Sequence, residues 1–456
     1  MLIFINTSLS NASSRFINFS IAQKNPKQQQ QTFCNLIIIQ YIFIALIIII
    51  AETIGVWFVK TQLVIPENRL HAALYAYQGA VFMTVISFLN TPYNALIIAH
   101  EKMSVFAYIS IAEAITKLAI AYIISFTAHD KLITYSILLA LNQLIILIVY
   151  YFYSKKNFLE LKYKFTFDKT GIKNIISFSF WTMGGNVAVI CCTQGLNILL
   201  NLFFGPIANA ARGIATQVQG VINQFFTSFQ TAINPQITQS YASNNLNTMH
   251  SLIINSAKYS FFLSLIICLP ILMQTNEILY IWLGSVPEDT SSFIRIMIIV
   301  GLNYALGNST ITAIRATGNI RKFELTVSSI LISILPICYI LLKLFNLSAI
   351  DVFIVYCIIE CLAQFIRVYI TFPKINLPIR YYYTKILYPI AKVCIIACIL
   401  PSIILRYIDY NIYINLLIMV CICTLSSTLS IYFFGIGNKE RMLIKHKIKQ
   451  FISYNE

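Results

Sequence analysis

The sequence predicts an all-α polytopic membrane protein, and two observations carry that prediction. Hydrophobic residues fill 58% of the 456 positions and charged residues only 11%, whereas a soluble domain carries about 25% charged residues. Apolar stretches of about 20 residues, the length of a helix that crosses a bilayer, recur from one end of the chain to the other. A chain of this composition cannot cover its surface with charge, so most of that surface must face lipid.

Hydropathy divides the chain into twelve predicted spans. Their approximate limits are 33–58, 72–97, 103–126, 132–153, 174–204, 207–234, 249–273, 291–317, 323–345, 349–373, 383–407 and 411–435. A thirteenth, shorter and more polar segment opens the chain at 1–22.

The basic residues predict which side of the membrane each loop faces. Most of the 32 Lys and Arg residues fall in loops on one side, which is then cytoplasmic, as is the C-terminus. The net charge of +16 therefore reflects topology and gives no reason to invoke nucleic acid. With this orientation the segment 1–22 runs inward from the far side, so we expect one helix to be missing upstream.

A weak internal repeat predicts two related lobes. Ser20-Ile21-Ala22, followed by a polar loop and a long span, recurs as Ser240-Tyr241-Ala242. The turn segment Ala99–Met103 recurs as Ala316–Ile320. Both lobes keep the same orientation, and paired lobes are a recurrent transporter architecture.

The predicted organisation has five parts. They are an N-terminal transmembrane lobe without its first helix, a cytoplasmic linker, a C-terminal transmembrane lobe, two additional transmembrane helices and a basic cytoplasmic tail that can contact anionic lipids. In the same order, these parts span residues 1–153, 154–173, 174–373, 374–436 and 437–456.

The span 207–234 carries the most informative pattern in the chain. Its polar residues recur at steps of three or four, at Asn209, Arg212, Thr216, Gln219, Asn223, Thr227, Gln230 and Asn234. This period puts all eight on one helical face, which we call the polar stripe. Such a face requires either a watery cavity or hydrogen bonding to a neighbouring helix. Arg212 favours the cavity, because an unpaired guanidinium needs water or an anion.

The preceding span adds Gln194, Asn197 and Asn201, which share one face. The two helices together are therefore predicted to form one wall of a polar channel.

Charged residues inside other predicted spans suggest the charge of the ligand. The intramembrane cations are Arg15, Lys117, Arg212, Arg367 and Lys392. They outnumber the central acids Glu113 and Glu360, and a cavity with that balance favours an anion. The planar fork of arginine suits phosphate oxygens in particular.

Glu113 and Glu360 are the candidate residues for coupling to an ion. Glu113 lies four residues before Lys117, a spacing at which the two can pair, and structural pairing is the alternative to a transport role. Glu360 lies two turns from Arg367 and is expected to be less easily paired within its helix, which makes it a candidate proton or cation site.

The sequence predicts no enzyme chemistry and no cofactor. The 11 cysteines and five histidines show no zinc-ligand spacing, and no Walker loop, dinucleotide-binding loop or nucleophile elbow occurs. A membrane-embedded polysaccharide polymerase is the alternative from another class. Such an enzyme usually needs a sizeable extracytoplasmic loop, and the longest predicted outer loop, 274–290, is short.

A resemblance to a known family rests on four segments in chain order: Ser10–Phe16, Phe88–Ala95, Ala208–Gly213 and Asn234–Ile237. They resemble Wzx-type polysaccharide flippases of the multidrug/oligosaccharidyl-lipid/polysaccharide superfamily. The resemblance implies a MATE-like fold of two six-helix lobes, with two extra C-terminal helices as in some members. Arg15 and Arg212 are the positions to which it would carry a role in meeting the diphosphate.

The resemblance also implies the substrate and the cellular place. It implies an undecaprenyl-diphosphate-linked oligosaccharide repeat unit, turned across the cytoplasmic (inner) membrane by alternating access for O-antigen, lipopolysaccharide or capsule synthesis. The expected partners are this polyprenyl-diphosphate-linked oligosaccharide, membrane lipids, H⁺ or Na⁺ if transport is coupled, and other polysaccharide assembly proteins. The runner-up function is a cation-coupled multidrug exporter, which would need an anionic pocket.

Pattern and resemblance together give the candidate substrate-binding residues of the cavity. They are Arg15, Asn197, Asn201, Asn209, Arg212, Thr216, Gln219 and Asn223.

Overall fold

The structure is a computed structural model that describes residues 3–62, 65–127, 130–158, 168–345, 347–405, 411–437 and 440–442. Throughout these residues the regular structure is helical, without a strand. Eleven of the helices are long and apolar enough to cross a membrane. The predicted all-α polytopic fold class is therefore confirmed.

The helices follow one another in the chain with short connections. Their bounds are α1 Ile3–Ala22, α2 Pro26–Thr61, α3 Leu70–Ala99, α4 Met103–Ser125, α5 Lys131–Asn157, α6 Lys169–Ala242, α7 Leu246–Met273, α8 Thr275–Leu283, α9 Thr290–Thr317, α10 Arg321–Phe345, α11 Ala349–Lys374, α12 Tyr382–Ile404 and α13 Ile412–Gly435. Each predicted span corresponds to one of these helices, except that two spans fall in α6.

Side-chain caps set the helix ends. The Asn25 side chain accepts the backbone N–H groups of Lys27 and Gln28, so α2 begins before the predicted span 33–58. Asp168 caps α6, and its hydrogen bonds from the Thr170 hydroxyl and nearby backbone amides hold the pKa of its carboxyl below the ordinary value. Hydropathy locates the apolar centre of a helix, whereas the cap fixes where the helix begins.

Helix α6 is bent at Gly205. This residue has φ 75° and ψ −168°, a conformation that is essentially restricted to glycine, and Pro206 next to it has no backbone N–H to donate. The bend separates 169–204 from 206–242, which matches the two predicted spans 174–204 and 207–234.

The internal repeat is visible in the turns. Lys24 after α1 and Asn244 after α6 both have left-handed backbone conformations, with φ 53° and 57°. Glu101 after α3 and Gly318 after α9 do the same, with φ 57° and 76°. The sequence matches at these four places therefore correspond to matching turns, as two pseudo-repeated lobes require.

The chain forms two compact units. The first unit comprises Met1–Val187 with Thr238–Asn244, and the second comprises Ala188–Ile237 with Asn245–Glu456. The change of unit falls inside α6, whereas the sequence places the lobe boundary in the linker 154–173. Residues 159–167 of that linker lie outside the described part of the chain, so the five-part division remains a prediction.

The additional helices α12 and α13 are packed into the second unit. Ala397, Met419 and Cys423 form a buried cluster with Leu269 of α7. The Ser426 hydroxyl of α13 donates to the Ala397 carbonyl of α12 at 2.9 Å. Burial of this apolar surface fixes both helices to α7. Most of the predicted basic tail 437–456 lies outside the described residues.

Candidate functional site

A polar cavity of about 810 Å³ lies within the second unit, and we call it the polar cavity. Because α6 bends at Gly205, both of its halves line the same space, and α9 and α11 complete the wall. The lining residues are Val189, Thr193, Gln194, Asn197, Asn201, Pro206, Asn209, Ala210, Arg212, Gly213, Thr216, Gln219, Asn223, Met297, Tyr304 and Tyr356. The structure therefore brings together all the candidate substrate-binding residues except Arg15.

Arg212 is the cation of this cavity. Its side chain is only 3% exposed, and its guanidinium donates a hydrogen bond to Asn197 Oδ1 and lies 6.0 Å from the Phe353 ring. Its Nε has no hydrogen-bond partner among the described residues, and within the same ranges Arg212 forms no ion pair with a carboxylate. A buried guanidinium with a spare donor is suited to an anionic ligand.

Uncharged polar groups surround this arginine. Asn197, which accepts from Arg212, also donates to Gln194 Oε1 at 3.2 Å. Gln219 Nε2 and Asn223 Oδ1 are buried without a hydrogen-bond partner in the ranges described. Buried polar atoms are normally hydrogen-bonded, so the cavity offers a donor and an acceptor to a bound ligand beside the Arg212 charge.

The polar stripe has two roles along its length. Its first part lines the polar cavity, but Gln230 is fully buried and donates to the Ala305 carbonyl at 3.0 Å. Asn308 donates to Gln230 Oε1 at 2.5 Å, and the Thr312 hydroxyl donates to Asn234 Oδ1 at 3.1 Å. Both readings of the stripe therefore hold, cavity lining at one end and helix–helix hydrogen bonding to α9 at the other.

Glu360 is paired with Arg367, although the two residues lie two turns apart and the sequence predicts a less easy pairing within the helix. Arg367 Nη2 lies 3.4 Å from Glu360 Oε2, and both side chains are buried. Residues seven apart share a helical face at an axial separation of about 10.5 Å, and these two long side chains bridge that gap. Tyr304, which lines the polar cavity, donates from its hydroxyl to Glu360 Oε1 at 2.8 Å.

Of the five intramembrane cations, the wall of the polar cavity contains Arg212 but none of the other four. Lys117 lies on the exposed face of α4 and pairs with Glu113 at 2.6 Å, which confirms the predicted pairing. Lys392 is exposed on α12, with its Nζ 4.3 Å from the centre of the Tyr388 ring, and Arg367 is paired with Glu360. The sequence gives the depth of a charge along a helix but not the face it occupies, so it could not separate Arg212 from the others.

Arg15 lies on α1 in the first unit and does not line the polar cavity. Its guanidinium carbon is 4.6 Å from the centre of the Phe16 ring, 5.5 Å from that of Phe19 and 5.3 Å from that of Phe178. These distances are typical of cation–π contacts. A role for Arg15 toward a diphosphate remains a prediction.

Sequence reasoning missed two features of the sites. The first is the pair Tyr304 and Tyr356 in the wall of the polar cavity, which carry no sequence signal because tyrosine is common in this chain. The second is a smaller polar pocket between α1 and α3 in the first unit. Its signal was available, since α1 and α3 both carry Asn, Ser and Thr at helical spacing.

Solved structures with a similar fold are MATE transporters. One MATE in complex with MaL6 superposes with a TM-score of 0.74 at 13% identity, covering 82% of this chain and 85% of that chain. An outward-facing multidrug resistance MATE family transporter gives 0.72 at 13% identity, covering 82% and 84%. A transporter of the same superfamily from Pyrococcus furiosus, described by a binding pocket of reverse polarity, gives 0.70 at 13%, covering 82% and 85%. At such identities the likeness shows the fold.

Family comparisons agree with this fold. The sequence model described as polysaccharide biosynthesis protein matches residues 1–241, and the MatE model matches residues 182–340. No curated protein sequence matches the chain. The spans, the fold and these matches define a multi-pass membrane transporter of MATE-like architecture. Within that class, the chain belongs to the polysaccharide biosynthesis protein family.

Proposed function

We propose that this protein is a flippase that translocates an undecaprenyl-diphosphate-linked oligosaccharide across the cytoplasmic membrane for surface polysaccharide synthesis. One observation carries the proposal: Arg212 is a buried cation in a polar cavity whose lining, within the described residues, contains no carboxylate. In a membrane, a buried charge of this kind marks a ligand or ion pathway. Membership of the polysaccharide biosynthesis protein family supports a glycan carrier as the ligand.

The chemistry of the cavity fits a diphosphate headgroup. A guanidinium donates charge-assisted hydrogen bonds to phosphate oxygens, and the amides of Asn197, Gln219 and Asn223 can extend that set. The second half of α6 begins at Pro206 in the cavity wall, so the positive end of that helix segment adds to the field felt by an anion. Discontinuous helices are used in this way in secondary transporters.

Under this proposal, the substrate crosses the membrane by alternating access. The diphosphate and sugars would occupy polar space inside the protein, while the isoprenoid chain stays among the lipids, where its apolar surface costs nothing to expose. Under this proposal the protein lies in the inner membrane with its C-terminus in the cytoplasm and works with other polysaccharide assembly proteins. O-antigen and capsule units are both carried on such a lipid.

The first test replaces Arg212 and measures flipping in a flippase-deficient strain and lipid binding by the purified protein. We expect Arg212→Ala to weaken binding of undecaprenyl diphosphate about 10- to 100-fold, because charge-assisted hydrogen bonds are lost. Arg212→Lys should recover part of the binding, since it keeps the charge but not the fork. Lys392→Gln is the matched control, because it removes one positive charge from an exposed position and should change neither readout.

A second variant, Asn197→Asp, tests whether the free positive charge of Arg212 is what binds the diphosphate. This change keeps the shape of the side chain but supplies Arg212 with an internal carboxylate, which would compete with a bound phosphate. We therefore expect Asn197→Asp to reduce diphosphate binding as strongly as Arg212→Ala while leaving the fold intact. Normal polysaccharide export and normal lipid binding by both variants would contradict the proposed function.

A cation-coupled multidrug exporter is the second candidate, and the MatE match at 182–340 favours it. A cavity that binds cationic drugs needs negative charge, whereas the wall of the polar cavity carries Arg212 and, in the described ranges, no acid. Expression in a drug-sensitive strain separates the two candidates. Resistance to cationic dyes that survives Arg212→Ala would favour the exporter.

A further inference from the structure

The smaller pocket in the first unit has a wall of one chemical kind. Its volume is about 280 Å³, and we call it the amide pocket. The lining residues are Asn6, Thr7, Ser10, Asn11, Ser87, Asn90, Thr91 and Asn94. Every one carries a carboxamide or a hydroxyl, and the wall described here contains no charged, aromatic or aliphatic side chain.

Two helices build the amide pocket from residues at helical spacing. Asn6 and Ser10 lie one turn apart on α1, and Ser87, Thr91 and Asn94 follow one face of α3. Hydrogen bonds cross between the helices, so that Asn6 Nδ2 donates to Ser87 Oγ at 2.9 Å and the Thr91 hydroxyl donates to Asn6 Oδ1 at 2.7 Å. These bonds hold the wall in a fixed arrangement.

The wall retains unused hydrogen-bonding capacity. The Oδ1 atoms of Asn90 and Asn94 are buried, and neither has a partner in the part of the chain that the structure describes. Each carboxamide also carries an NH₂ donor next to its oxygen. A pocket of paired donors and acceptors matches a ligand whose groups both donate and accept, and a sugar hydroxyl is such a group.

Other ligand classes fit the amide pocket less well. A phosphate would require the positive charge that the polar cavity has in Arg212. A bound proton requires a titratable side chain, which the described wall lacks, and a bound cation would leave the NH₂ donors of the carboxamides without an acceptor. A lipophilic ligand would leave the amides unpaired, which is costly in a buried site. The volume falls just below the range of about 300–1,000 Å³ of sites for drug-sized ligands, so the space suits one small ring.

We propose that the amide pocket binds the hydroxyl groups of one uncharged sugar ring of the transported substrate. The inference rests on the proposed function, under which the cargo carries a glycan. It assigns sugar recognition to α1 and α3. The two parts of the substrate are then bound by different residues, and variants can separate them.

The experiment compares two lipids bound to the purified full chain in nanodiscs: undecaprenyl diphosphate and undecaprenyl diphosphate carrying N-acetylglucosamine. Asn90→Leu and Asn94→Leu replace each amide by an apolar group of similar shape. We expect each to weaken binding of the sugar-bearing lipid about tenfold and to leave binding of the bare lipid unchanged. Arg212→Ala should weaken binding of both lipids equally.

Thr84→Val is the matched control on α3. Its hydroxyl bonds to the Ala80 carbonyl of its own helix and does not line the amide pocket, so both lipids should bind normally. Should the leucine variants fail to fold, as judged by thermal unfolding, Asn90→Ser and Asn94→Ser shorten the amides while keeping a polar group and are expected to show the same selective loss.

The outcomes separate the two proposals. The first outcome is that Arg212→Ala binds both lipids more weakly, while the Asn90 and Asn94 variants bind the sugar-bearing lipid as well as the unmodified protein does. This outcome would overturn the amide-pocket inference alone. Unchanged binding of both lipids in Arg212→Ala would overturn the proposed function. A Na⁺-dependent rise in melting temperature that the Asn90 and Asn94 variants abolish, without an effect on sugar binding, would make the pocket a cation site and overturn the inference.

Discussion

At the scale of residues, two buried arginines of the second unit differ in their partners. Arg367 meets the carboxylate of Glu360 on its own helix, whereas Arg212 meets only an amide oxygen and a ring in the described structure. A buried arginine with a carboxylate is internally neutralised, and one without it can take its counter-charge from a ligand. This difference is the reason that we propose the phosphate role for Arg212, and a coupling role of Glu360 remains a prediction.

The Tyr304 side chain connects Glu360 to the polar cavity. Tyr304 lines the cavity, donates to Glu360 and lies 3.5 Å from the hydroxyl of Tyr356. An ion that competed with Arg367 for the Glu360 carboxylate would change the pairing next to the polar cavity. A coupling ion acts only by binding the two transport states with different affinity.

A double-mutant test separates a structural role of Glu360 from coupling. Glu360→Gln leaves Arg367 buried without its carboxylate and should lower the free energy of unfolding by about 3–5 kcal/mol. Adding Arg367→Gln removes the stranded charge and should restore much of that stability, measured by thermal unfolding in detergent. If Glu360 couples transport, the double variant should flip lipid in vesicles without responding to pH or Na⁺.

Glu113 and Lys117 provide the control pair for this test. They also pair with each other, but on the outward face of α4 and outside the wall of the polar cavity. Replacing both with glutamine should leave stability and ion dependence unchanged. Loss of ion dependence in this pair, with retention in the Glu360 and Arg367 double variant, would move the coupling role to Glu113.

At the scale of elements, the bend of α6 determines which residues line the polar cavity. A straight helix of this length would carry the residues on either side of Gly205 apart along one axis. With the bend, Asn197 before it and Arg212 after it lie close enough for a hydrogen bond. The bend therefore creates the contact between Asn197 and Arg212 on which the proposed anion site depends.

Gly205→Ala tests this role of the bend. Alanine is strained at φ 75° and ψ −168°, so we expect a loss of about 1–3 kcal/mol in the free energy of unfolding and a loss of diphosphate binding. Gly220→Ala is the control in the same helix, because its added Cβ would meet no atom within 4 Å and its φ is not positive. It should be neutral or slightly stabilising, by up to about 1 kcal/mol. Equal stability and binding in the two variants would contradict a need for the bend.

At the scale of the whole molecule, the distribution of charge predicts orientation. If each long helix crosses the membrane once, the segment between α8 and α9 and the C-terminal end of α13 lie on opposite sides. The positive-inside rule assigns the side richer in Lys and Arg to the cytoplasm, which predicts a cytoplasmic C-terminus. Orientation matters for function because a flippase must receive its lipid-linked glycan where that glycan is made.

Reporter fusions check the orientation. A fluorescent protein fused after Glu456 should fluoresce and alkaline phosphatase at the same position should be inactive, because the first folds in the cytoplasm and the second requires the periplasm. Fusions inserted at Glu288, between α8 and α9, should give the reverse pattern. Matching signals at both positions would mean that a helix does not cross as proposed, and a complete exchange would reverse the assignment of sides.

The structural properties that could be predicted from the sequence are those that depend on one short segment of the chain. Hydropathy located each span because the cost of burying a segment in lipid depends on that segment alone. The spacing of the polar stripe likewise identified one helical face, from Asn209 to Asn234. The turns at Lys24 and Asn244 follow two short segments of similar sequence, Ser20–Ala22 and Ser240–Ala242. The match could be found because a polar loop between two spans is also a local pattern.

The same polar stripe shows what the sequence by itself determined and what only the tertiary structure decided. The sequence determined that the stripe must face something polar, since lipid cannot satisfy amides and a guanidinium. The tertiary structure decided that its first part lines the polar cavity while Gln230 and Asn234 bond to α9. It also decided that Glu360 pairs with Arg367 and that Lys117 and Lys392 face outward. These outcomes depend on how each helix is rotated about its axis and which neighbour it packs against, and neither is encoded in the order of residues along one helix.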